Sequence, residues 1–333
     1  MSNTLEQSGQ TESLALVFPG QGSQAPGMGR LVYEHSAAAR EAFEEASDYT
    51  GIDIASVCFD SDADTLASTE NTQPAVLTTS IAFFRAMREK ATEVREQVTP
   101  RLLGGHSLGL FSAAVTSNAL SFRDSLLVIM ERSRLMGSFN AERPVGMAAI
   151  VGLDVDTVRT ICADATQGEM SRVDVANHNE DAQTVISGDV SAIERAMVRA
   201  KELQGKAIRL KLKVSSHTPL HNAQADEFAQ VIREIPFANP SIPIVSNVTS
   251  DLLRTAAEVR AEFEAQLKSP VLWADNVRRM TREGVDTFVE VGPGHALSRM
   301  IKRIQEDTTA VSLDDARDAP IPVSILPARR PTA

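Results

Sequence analysis

Leu103-Gly104-Gly105-His106-Ser107-Leu108-Gly109-Leu110 is the stretch around which the chain is organised. A short apolar run ends at Leu103, and residues 111–120 can continue as a helix. Between them lies Gly105-x-Ser107-x-Gly109, the pattern of a nucleophile elbow, in which a serine occupies a tight strand-to-helix turn with its Oγ exposed. Glycines suit this turn because it crowds its neighbours. The pattern predicts that Ser107 is a nucleophile; the alternative is a glycine-rich turn with a buried, hydrogen-bonded serine.

The length and composition indicate an α/β protein with more than one structural unit. The chain has 333 residues, which predicts one large domain and a smaller one. Apolar residues make up 43% and aromatic residues only 5%, so we expect an aliphatic core. Cys58 and Cys162 match no metal or redox spacing, and we expect two reduced thiols. Neither a metal nor a cofactor is predicted.

Charge and hydropathy limit the surroundings in which the chain can work. The formal net charge of −11 argues against binding of nucleic acid through bulk electrostatics. No signal peptide opens the chain, and no run reaches the roughly 18–20 apolar residues that span a bilayer. We therefore expect a cytoplasmic protein with no membrane partner. A monomer is also expected, although neither charge nor hydropathy determines the oligomeric state.

Strands and helices alternate along most of the sequence, which predicts a mostly parallel sheet covered on both faces. This large unit is expected over 13–145 and 213–318, with a disordered start (1–12) and a flexible tail (319–333). Its predicted helices include one over 34–48 and a long one opened by Asn71-Thr72-Gln73-Pro74, with the proline near the first turn. A capping-box pattern at Ser121-Phe122-Arg123-Asp124 begins another.

Residues 146–212 have an order of their own. Strands are predicted over 147–151, 173–176, 184–187 and 207–212, with helices over 155–163 and 192–203 and a polar turn over 177–181. The resulting β-α-β-β-α-β order is the ferredoxin-like plan. Because the larger α/β pattern resumes afterwards, we interpret this region as an inserted subdomain.

A serine nucleophile needs a base within hydrogen-bond reach, and the chain has six histidines. His217 follows a strand of the large unit, at a loop that could reach the elbow, and is the best candidate; His221 is second. The two have metal-ligand spacing, but Pro219 lies between them and no Glu follows His217 as in H-E-x-x-H, which argues against zinc. No acidic third member of a triad is evident, and a backbone carbonyl could orient the imidazole instead.

Two sets of cations could meet substrate or partner. Arg132 and Arg134 follow the elbow, and because positions two apart on a helix face different sides, at most one enters a pocket with Ser107. An arginine there could pair with a substrate carboxylate; the alternative is a surface position. Arg209, Lys211 and Lys213 alternate along a predicted strand, either as an edge blunted against aggregation or as a basic strip that docks an acidic partner.

Several motifs stand in one order along the chain and carry a family resemblance. They are Phe18-Pro-Gly-Gln-Gly-Ser-Gln24, Asn71-Thr-Gln-Pro74, Gly105-His-Ser-Leu-Gly109, Ser216-His217, Ser246-Asn-Val248 and Glu290-Val-Gly-Pro-Gly294. Together they resemble the malonyl-CoA:acyl carrier protein transacylase family of fatty acid synthesis, which includes the acyltransferase domains of polyketide synthases. The resemblance runs from about Leu14 to Ile304.

The resemblance implies an α/β-hydrolase-like large domain with an inserted ferredoxin-like subdomain. Ser107 matches the family's acyl-accepting serine and His217 its base. Gln266 matches the residue whose backbone carbonyl orients that histidine. Gln21 and Leu108 match the positions whose backbone N–H groups form the oxyanion hole. Arg132 matches the arginine that binds the malonyl carboxylate, which favours it over Arg134.

Two departures bear on acyl selectivity. The residue after the last elbow glycine is usually Glu or Gln in the family, but here it is Leu110. The residues before His217 also lack the His-Ala-Phe-His form of many malonyl-selective synthase domains. The expected preference for malonyl therefore depends on Arg132.

The expected activity is transfer of malonyl from malonyl-CoA to the phosphopantetheine thiol of acyl carrier protein, through a malonyl-serine intermediate. The alternatives are a serine esterase or thioesterase, an acyltransferase subunit of a malonate-decarboxylating complex, and a non-catalytic subunit that binds the carrier. Malonyl-CoA and acyl carrier protein are the expected partners.

Overall fold

The computed structural model describes residues 13–94, 98–210 and 214–315. Lys211 and Lys213, together with the predicted disordered start and flexible tail, lie outside the described residues. The described part is a mixed α/β structure with a six-stranded sheet and a four-stranded sheet, which confirms the predicted fold class. None of its helices is both long enough and apolar enough to cross a membrane.

The first half of the large unit ends in a long helix after the elbow. Its elements are β1 (Leu14–Phe18), α1 (Arg30–His35), α2 (Ala37–Thr50), α3 (Ile54–Asp60), α4 (Ala63–Leu66), α5 (Thr69–Glu93), β2 (Leu102–Gly105), α6 (Gly109–Thr116) and α7 (Phe122–Glu142).

The smaller sheet follows, and the large unit then resumes. The smaller part consists of β3 (Val145–Val151), α8 (Val155–Ala165), β4 (Val173–Glu180), β5 (Gln183–Asp189), α9 (Val190–Glu202) and β6 (Lys206–Arg209). The remainder consists of α10 (Asn222–Glu234), β7 (Ile244–Val245), β8 (Leu252–Leu253), α11 (Ala256–Gln266), α12 (Trp273–Arg282), β9 (Thr287–Glu290), α13 (Ala296–Ile304) and β10 (Thr309–Ser312), with 3₁₀ turns at Pro219–His221 and Leu313–Asp315.

The large sheet has the strand order β10-β9-β1-β2-β7-β8, and only the β7–β8 pair is antiparallel. Every residue of β1 is buried, because successive side chains enter different cores. Leu14, Leu16 and Phe18 pack on one face, whereas Ala15 and Val17 pack with Trp273 on the other. Because β1 pairs in parallel with both β2 and β9, the carboxyl ends of these three strands meet at one edge of the sheet. Open α/β sheets bind their ligands at this edge.

The small sheet is antiparallel and has the order β4-β5-β3-β6, which is the predicted βαββαβ arrangement. The helices α8 and α9 cover one face. On the other face, Met147 and Val185 form a small apolar cluster with Val214. The exact boundaries of this subdomain at 146 and 212 stay a prediction.

Several local predictions need correction. The helix expected over 111–120 ends at Thr116, and the strand predicted over 207–212 ends at Arg209. The helix predicted over 34–48 is two helices, because Ser36 is extended (φ −130°) and caps α2 by accepting a hydrogen bond from Ala39 N. The long helix begins at Thr69 rather than at the Asn-Thr-Gln-Pro motif, because Ser68 supplies the cap, so Pro74 lies inside the helix. The turn predicted over 177–181 is mostly strand, since β4 continues to Glu180.

Candidate active site

The elbow of Ser107 forms the turn between β2 and α6, as the glycine spacing predicts. Ser107 has a φ of 52°, in the left-handed region that side chains rarely adopt. A Cβ on Gly105 would lie 2.2 Å from the Gly109 carbonyl carbon, and one on Gly109 would lie 2.0 Å from the Phe18 carbonyl oxygen. Backbone thus packs directly on backbone around Ser107, and only glycine fits these two positions.

His217 faces the elbow from the loop before α10. Its Nε2 lies 2.7 Å from Ser107 Oγ, although the two residues are 110 positions apart. Its Nδ1 lies 2.9 Å from the Gln266 carbonyl oxygen and 3.1 Å from that of Ser269. Since carbonyl oxygens only accept, the proton of the neutral imidazole belongs on Nδ1. Nε2 is then free to accept the hydroxyl proton of Ser107.

The imidazole of His217 is held in its neutral form. Burial is the main cause, and the positive charge of Arg132 and the neighbouring His106 add to it; together they lower the pKa of His217 to about 3. His106 is itself oriented by Asn179, whose Oδ1 lies 2.9 Å from its Nε2. The base is therefore ready to accept a proton throughout the neutral pH range.

Arg132 reaches the same place from α7. It is 1% exposed, its Nη1 donates to Gln73 Oε1 at 2.8 Å, and its Nη2 lies 3.4 Å from Ser107 Oγ. Burial lowers the pKa of the guanidinium to about 10, so it stays charged at neutral pH. No carboxylate of the described chain pairs with it, and its Nε has no hydrogen-bond partner there. A buried cation in this state favours an incoming anion.

Two backbone N–H groups complete the site. Gln21 lies in the loop after β1, and Leu108 directly follows the nucleophile at the start of α6. A Cβ on Gly20 would lie 3.6 Å from Leu108 N, so the two loops touch. Within the described residues, neither N–H donates to a protein acceptor. Two free donors beside Ser107 and a helix N-terminus can stabilise negative charge on a reacting oxygen.

A cavity of about 710 Å³ opens onto these groups and lies between the two sheets. From the large unit, the cavity is lined by Ser107, Arg132 and His217 and by Leu297 and Met300 of α13. The small sheet contributes Met147, Ala149 and Val185. The cavity is thus mostly apolar, with a few convergent polar groups at its Ser107 end, as is typical of a small-molecule site.

The remaining candidates from the sequence lie elsewhere. His221 is fully buried and its Nε2 lies 2.8 Å from Ser215 Oγ, not from Ser107. Arg134 is exposed and pairs with Glu131 and Glu227 on the surface. Leu110 is buried in the main core and does not line the cavity. The described residues contain no group of His, Cys, Asp and Glu side chains that could hold a metal.

Sequence reasoning missed the hydrogen bonds that hold the elbow from behind. Asn247 and the side chain of Gln266 both contact the backbone of Ser107. Asn247 stands in the Ser-Asn-Val motif noted in the sequence, which was the only available signal. The contacts span 140 and 159 positions, so no local pattern could reveal them.

The acyl transferase domain family matches residues 15–321 of the chain. A malonyl CoA-acyl carrier protein transacylase of Bacillus subtilis is 34% identical over 314 residues, which cover 94% of this chain and 97% of that protein. One of Haemophilus influenzae is 36% identical over 305 residues, covering 91% and 96%. This chain belongs to the malonyl CoA-acyl carrier protein transacylase family.

Solved structures of transacylase-family members have the same fold. The malonyl CoA-acyl carrier protein transacylase of Coxiella burnetii superposes with a TM-score of 0.86 at 34% identity, covering 91% of this chain and 94% of that one. A malonyl-transacylase in complex with a type II polyketide synthase acyl carrier protein gives a TM-score of 0.86 at 34% identity, covering 90% and 96%. The chain is therefore an acyltransferase, as predicted.

Proposed function

We propose that this acyltransferase moves a malonyl group from malonyl-CoA to the phosphopantetheine thiol of acyl carrier protein, through an ester on Ser107. The observation that carries the proposal is the state of Arg132, a buried guanidinium without a carboxylate partner in the described chain, 3.4 Å from Ser107 Oγ. An acyl group that ends in a carboxylate satisfies this cation, whereas a neutral acyl group leaves it unpaired. The names of the family members support the same substrate.

In the first half-reaction, Ser107 Oγ attacks the thioester carbonyl while its proton moves to His217 Nε2. The carbonyl oxygen becomes an oxyanion between the N–H groups of Gln21 and Leu108. The C–S bond then breaks, and the CoA sulfur leaves with the proton from His217. Losing one oxyanion donor typically costs about 10²–10³ in rate.

In the second half-reaction, the malonyl ester waits with its carboxylate against Arg132. The thiol of the carrier gives its proton to His217 and attacks the ester carbonyl, and the same two N–H groups hold the oxyanion. The ester C–O bond breaks, and Ser107 Oγ regains a proton from His217. This is ping-pong acyl transfer, in which one base serves both steps.

The carbonyl oxygens at His217 Nδ1 stand where a triad would have a carboxylate. They fix the tautomer but give less stabilisation to the imidazolium. This arrangement is adequate for a thioester, which is an activated acyl donor. The solved complex of a related malonyl-transacylase with a type II polyketide synthase acyl carrier protein supports a carrier thiol as the acceptor. The cytoplasmic location and the absence of nucleic-acid binding are proposed from the hydropathy and net charge of the sequence, and a monomer is proposed with them.

The experiment that tests this function is a transfer assay with a panel of acyl-CoA thioesters and holo acyl carrier protein. We expect malonyl-CoA to be used preferentially, and release of CoA to accelerate when the carrier is added. Apo carrier, which lacks the thiol, is the matched control and should leave the slow rate unchanged. Equal turnover with water in both mixtures would show a thioesterase instead.

A further inference from the structure

Two amide side chains hold the backbone of Ser107, one on each side. Asn247 Oδ1 accepts from Ser107 N at 2.7 Å. Gln266 Nε2 donates to the Ser107 carbonyl oxygen at 3.0 Å, beside the N–H of Leu110, which donates to the same oxygen at 3.0 Å. The N–H and C=O groups of the nucleophile are thus fixed from outside the elbow, by residues that sequence patterns did not connect to it.

Asn247 also contacts the strand that leads into the turn. Its Nδ2 donates to the Gly105 carbonyl oxygen at 2.7 Å, so one side chain bridges both arms of the elbow. Its amide orientation is unambiguous, because one partner is an N–H and the other a C=O. Asn247 is fully buried, and its own N–H donates to the buried carboxylate of Glu262 at 2.9 Å.

Gln266 contacts the nucleophile and the base at the same time. Its side chain binds the Ser107 carbonyl, and its backbone carbonyl accepts from His217 Nδ1 at 2.9 Å. It lies four residues after Glu262 on α11, so both project from one face of that helix. The last turn of α11 is therefore a common support for both reacting side chains.

This support matters because the backbone of Ser107 is strained. A left-handed conformation in a residue other than glycine persists only where surrounding contacts over-determine it. If Ser107 relaxed to a negative φ, its Oγ would swing away from His217 Nε2, and a displacement of about 1 Å can cost roughly a hundredfold in rate.

We propose that Asn247 and the side chain of Gln266 are positioning residues that hold Ser107 Oγ in line with His217. Neither residue lines the cavity, so both would act through the backbone of the nucleophile. The inference rests on the proposed transfer reaction only in using Ser107 as the nucleophile. It assigns to Gln266 a role beyond the backbone carbonyl implied by family resemblance, because the side chain can be changed while that carbonyl stays.

The decisive variant is Gln266→Met, which removes the donor and keeps the length of the side chain and the backbone carbonyl. We expect kcat for malonyl transfer to fall roughly tenfold to a hundredfold. The KM for malonyl-CoA and the Tm should stay near those of the parent. Gln224→Met, the same change on α10 away from the site, is the matched control and should leave kcat unchanged.

A second measurement separates this inference from the proposed function. The rate at which a fluorophosphonate probe labels Ser107 depends on the nucleophile and not on malonyl. It should fall in Gln266→Met by a similar factor, even if malonyl-CoA were the wrong substrate. Asn247→Asp puts an acceptor against the Gly105 carbonyl and should also lower kcat and the labelling rate in the same assays. Asn276→Asp, at a buried asparagine of α12, is the matched control and should lower neither.

The inference is overturned if Gln266→Met keeps kcat and the labelling rate within twofold of the parent. It is also overturned if the loss appears only in KM, or only in proportion to the fraction unfolded. Should Gln266→Met fail to fold, Gln266→Glu at pH 8 decides the question. It keeps the size and polarity but turns an acceptor toward the Ser107 carbonyl, and the same loss of kcat is expected.

Discussion

At the scale of single residues, the site is controlled by charge in a buried setting. His217 and Arg132 share one end of the cavity, and the guanidinium is the second cause, after burial, of the lowered pKa of His217. A malonyl carboxylate on Arg132 would offset that positive charge. Substrate binding should therefore raise the proton affinity of the base when it has to accept a proton.

The lowered pKa of His217 predicts an unusual pH profile. The base works when it is neutral, and a pKa of about 3 keeps it neutral well below the 6.5 of an ordinary histidine. With a malonyl thioester that lacks the phosphates of CoA, kcat/KM for acylation should stay level from pH 8 to about pH 5. It should fall only as the pH drops further and His217 is protonated.

The matched comparison is Arg132→Met with an acetyl thioester. Without the guanidinium, one of the causes that lower the pKa is gone, so the acidic fall in rate should begin at a higher pH than in the parent. A parent profile that already inflects near pH 6.5 would contradict the assignment of a buried, neutral base.

Arg132 also predicts the acyl selectivity. In Arg132→Ala, kcat/KM for malonyl-CoA should fall roughly tenfold to a hundredfold, because a charge-assisted contact is worth about 1.5–3 kcal/mol. The rate with acetyl-CoA should change much less. Arg134→Ala removes an arginine that is exposed on the surface of the same helix and should leave both rates unchanged. An equal loss for both acyl groups would remove Arg132 from carboxylate recognition.

At the scale of elements, the strand–turn–helix of the elbow is the part that the sequence predicted best. Its requirements are local, since Gly105 and Gly109 leave room for backbone that lies only a few residues away or in the adjacent strand. The start of α7 was also predicted from a local pattern, because Ser121 caps the helix by accepting a hydrogen bond from Asp124 N.

The elements that escaped prediction are those that depend on distant partners. Strand β10 has four residues and exists through its pairing with β9, and β8 has two residues that pair with β7. The site shows the same division. Ser107 and His217 could be proposed from local patterns, whereas their 2.7 Å contact and the supports behind them arise only from the tertiary fold.

The close packing of the elbow predicts a stability effect of Gly109→Ala. The added Cβ would meet the Phe18 carbonyl oxygen at 2.0 Å, and backbone cannot move aside as a flexible side chain can. We expect the free energy of unfolding in urea to fall by roughly 1–3 kcal/mol or more. Gly137→Ala in α7 should be neutral or stabilising, because its Cβ has no neighbour closer than 3.5 Å. Equal stability of the two variants would contradict the packing described for the turn.

Across the whole molecule, the cavity forms because the small sheet is hydrogen-bonded to the large unit and residues of both line it. Two backbone hydrogen bonds join β4 to Val271. The N–H of His178 donates to the Val271 carbonyl, and the N–H of Val271 donates to the Ala176 carbonyl. At the tip of the β4–β5 hairpin, Glu180 pairs with Arg303, and Asp181 with Arg278. Arg303 and Asp181 are exposed, and an ion pair with an exposed partner contributes little, so the two backbone hydrogen bonds are the more important connection.

These contacts between the small sheet and the large unit predict that both sheets unfold together. The single tryptophan, Trp273, is buried in the large unit two residues after Val271. Its fluorescence and the far-UV circular dichroism of the whole chain should give the same urea midpoint, within a single transition. Hydrogen exchange of α8 and α9 should follow the same midpoint. Two separated transitions would show that the small sheet is an independent unit.

In the proposed reaction, Ser107 carries the acyl group between donor and acceptor. Mass spectrometry of the protein after brief mixing with malonyl-CoA, followed by digestion, tests this step. We predict one malonyl adduct, on the peptide that contains Ser107, which disappears when holo acyl carrier protein is added and malonyl-carrier forms in equal amount. An adduct on another residue, or malonyl-carrier formed at the parent rate by Ser107→Ala, would contradict the role of Ser107 as the nucleophile.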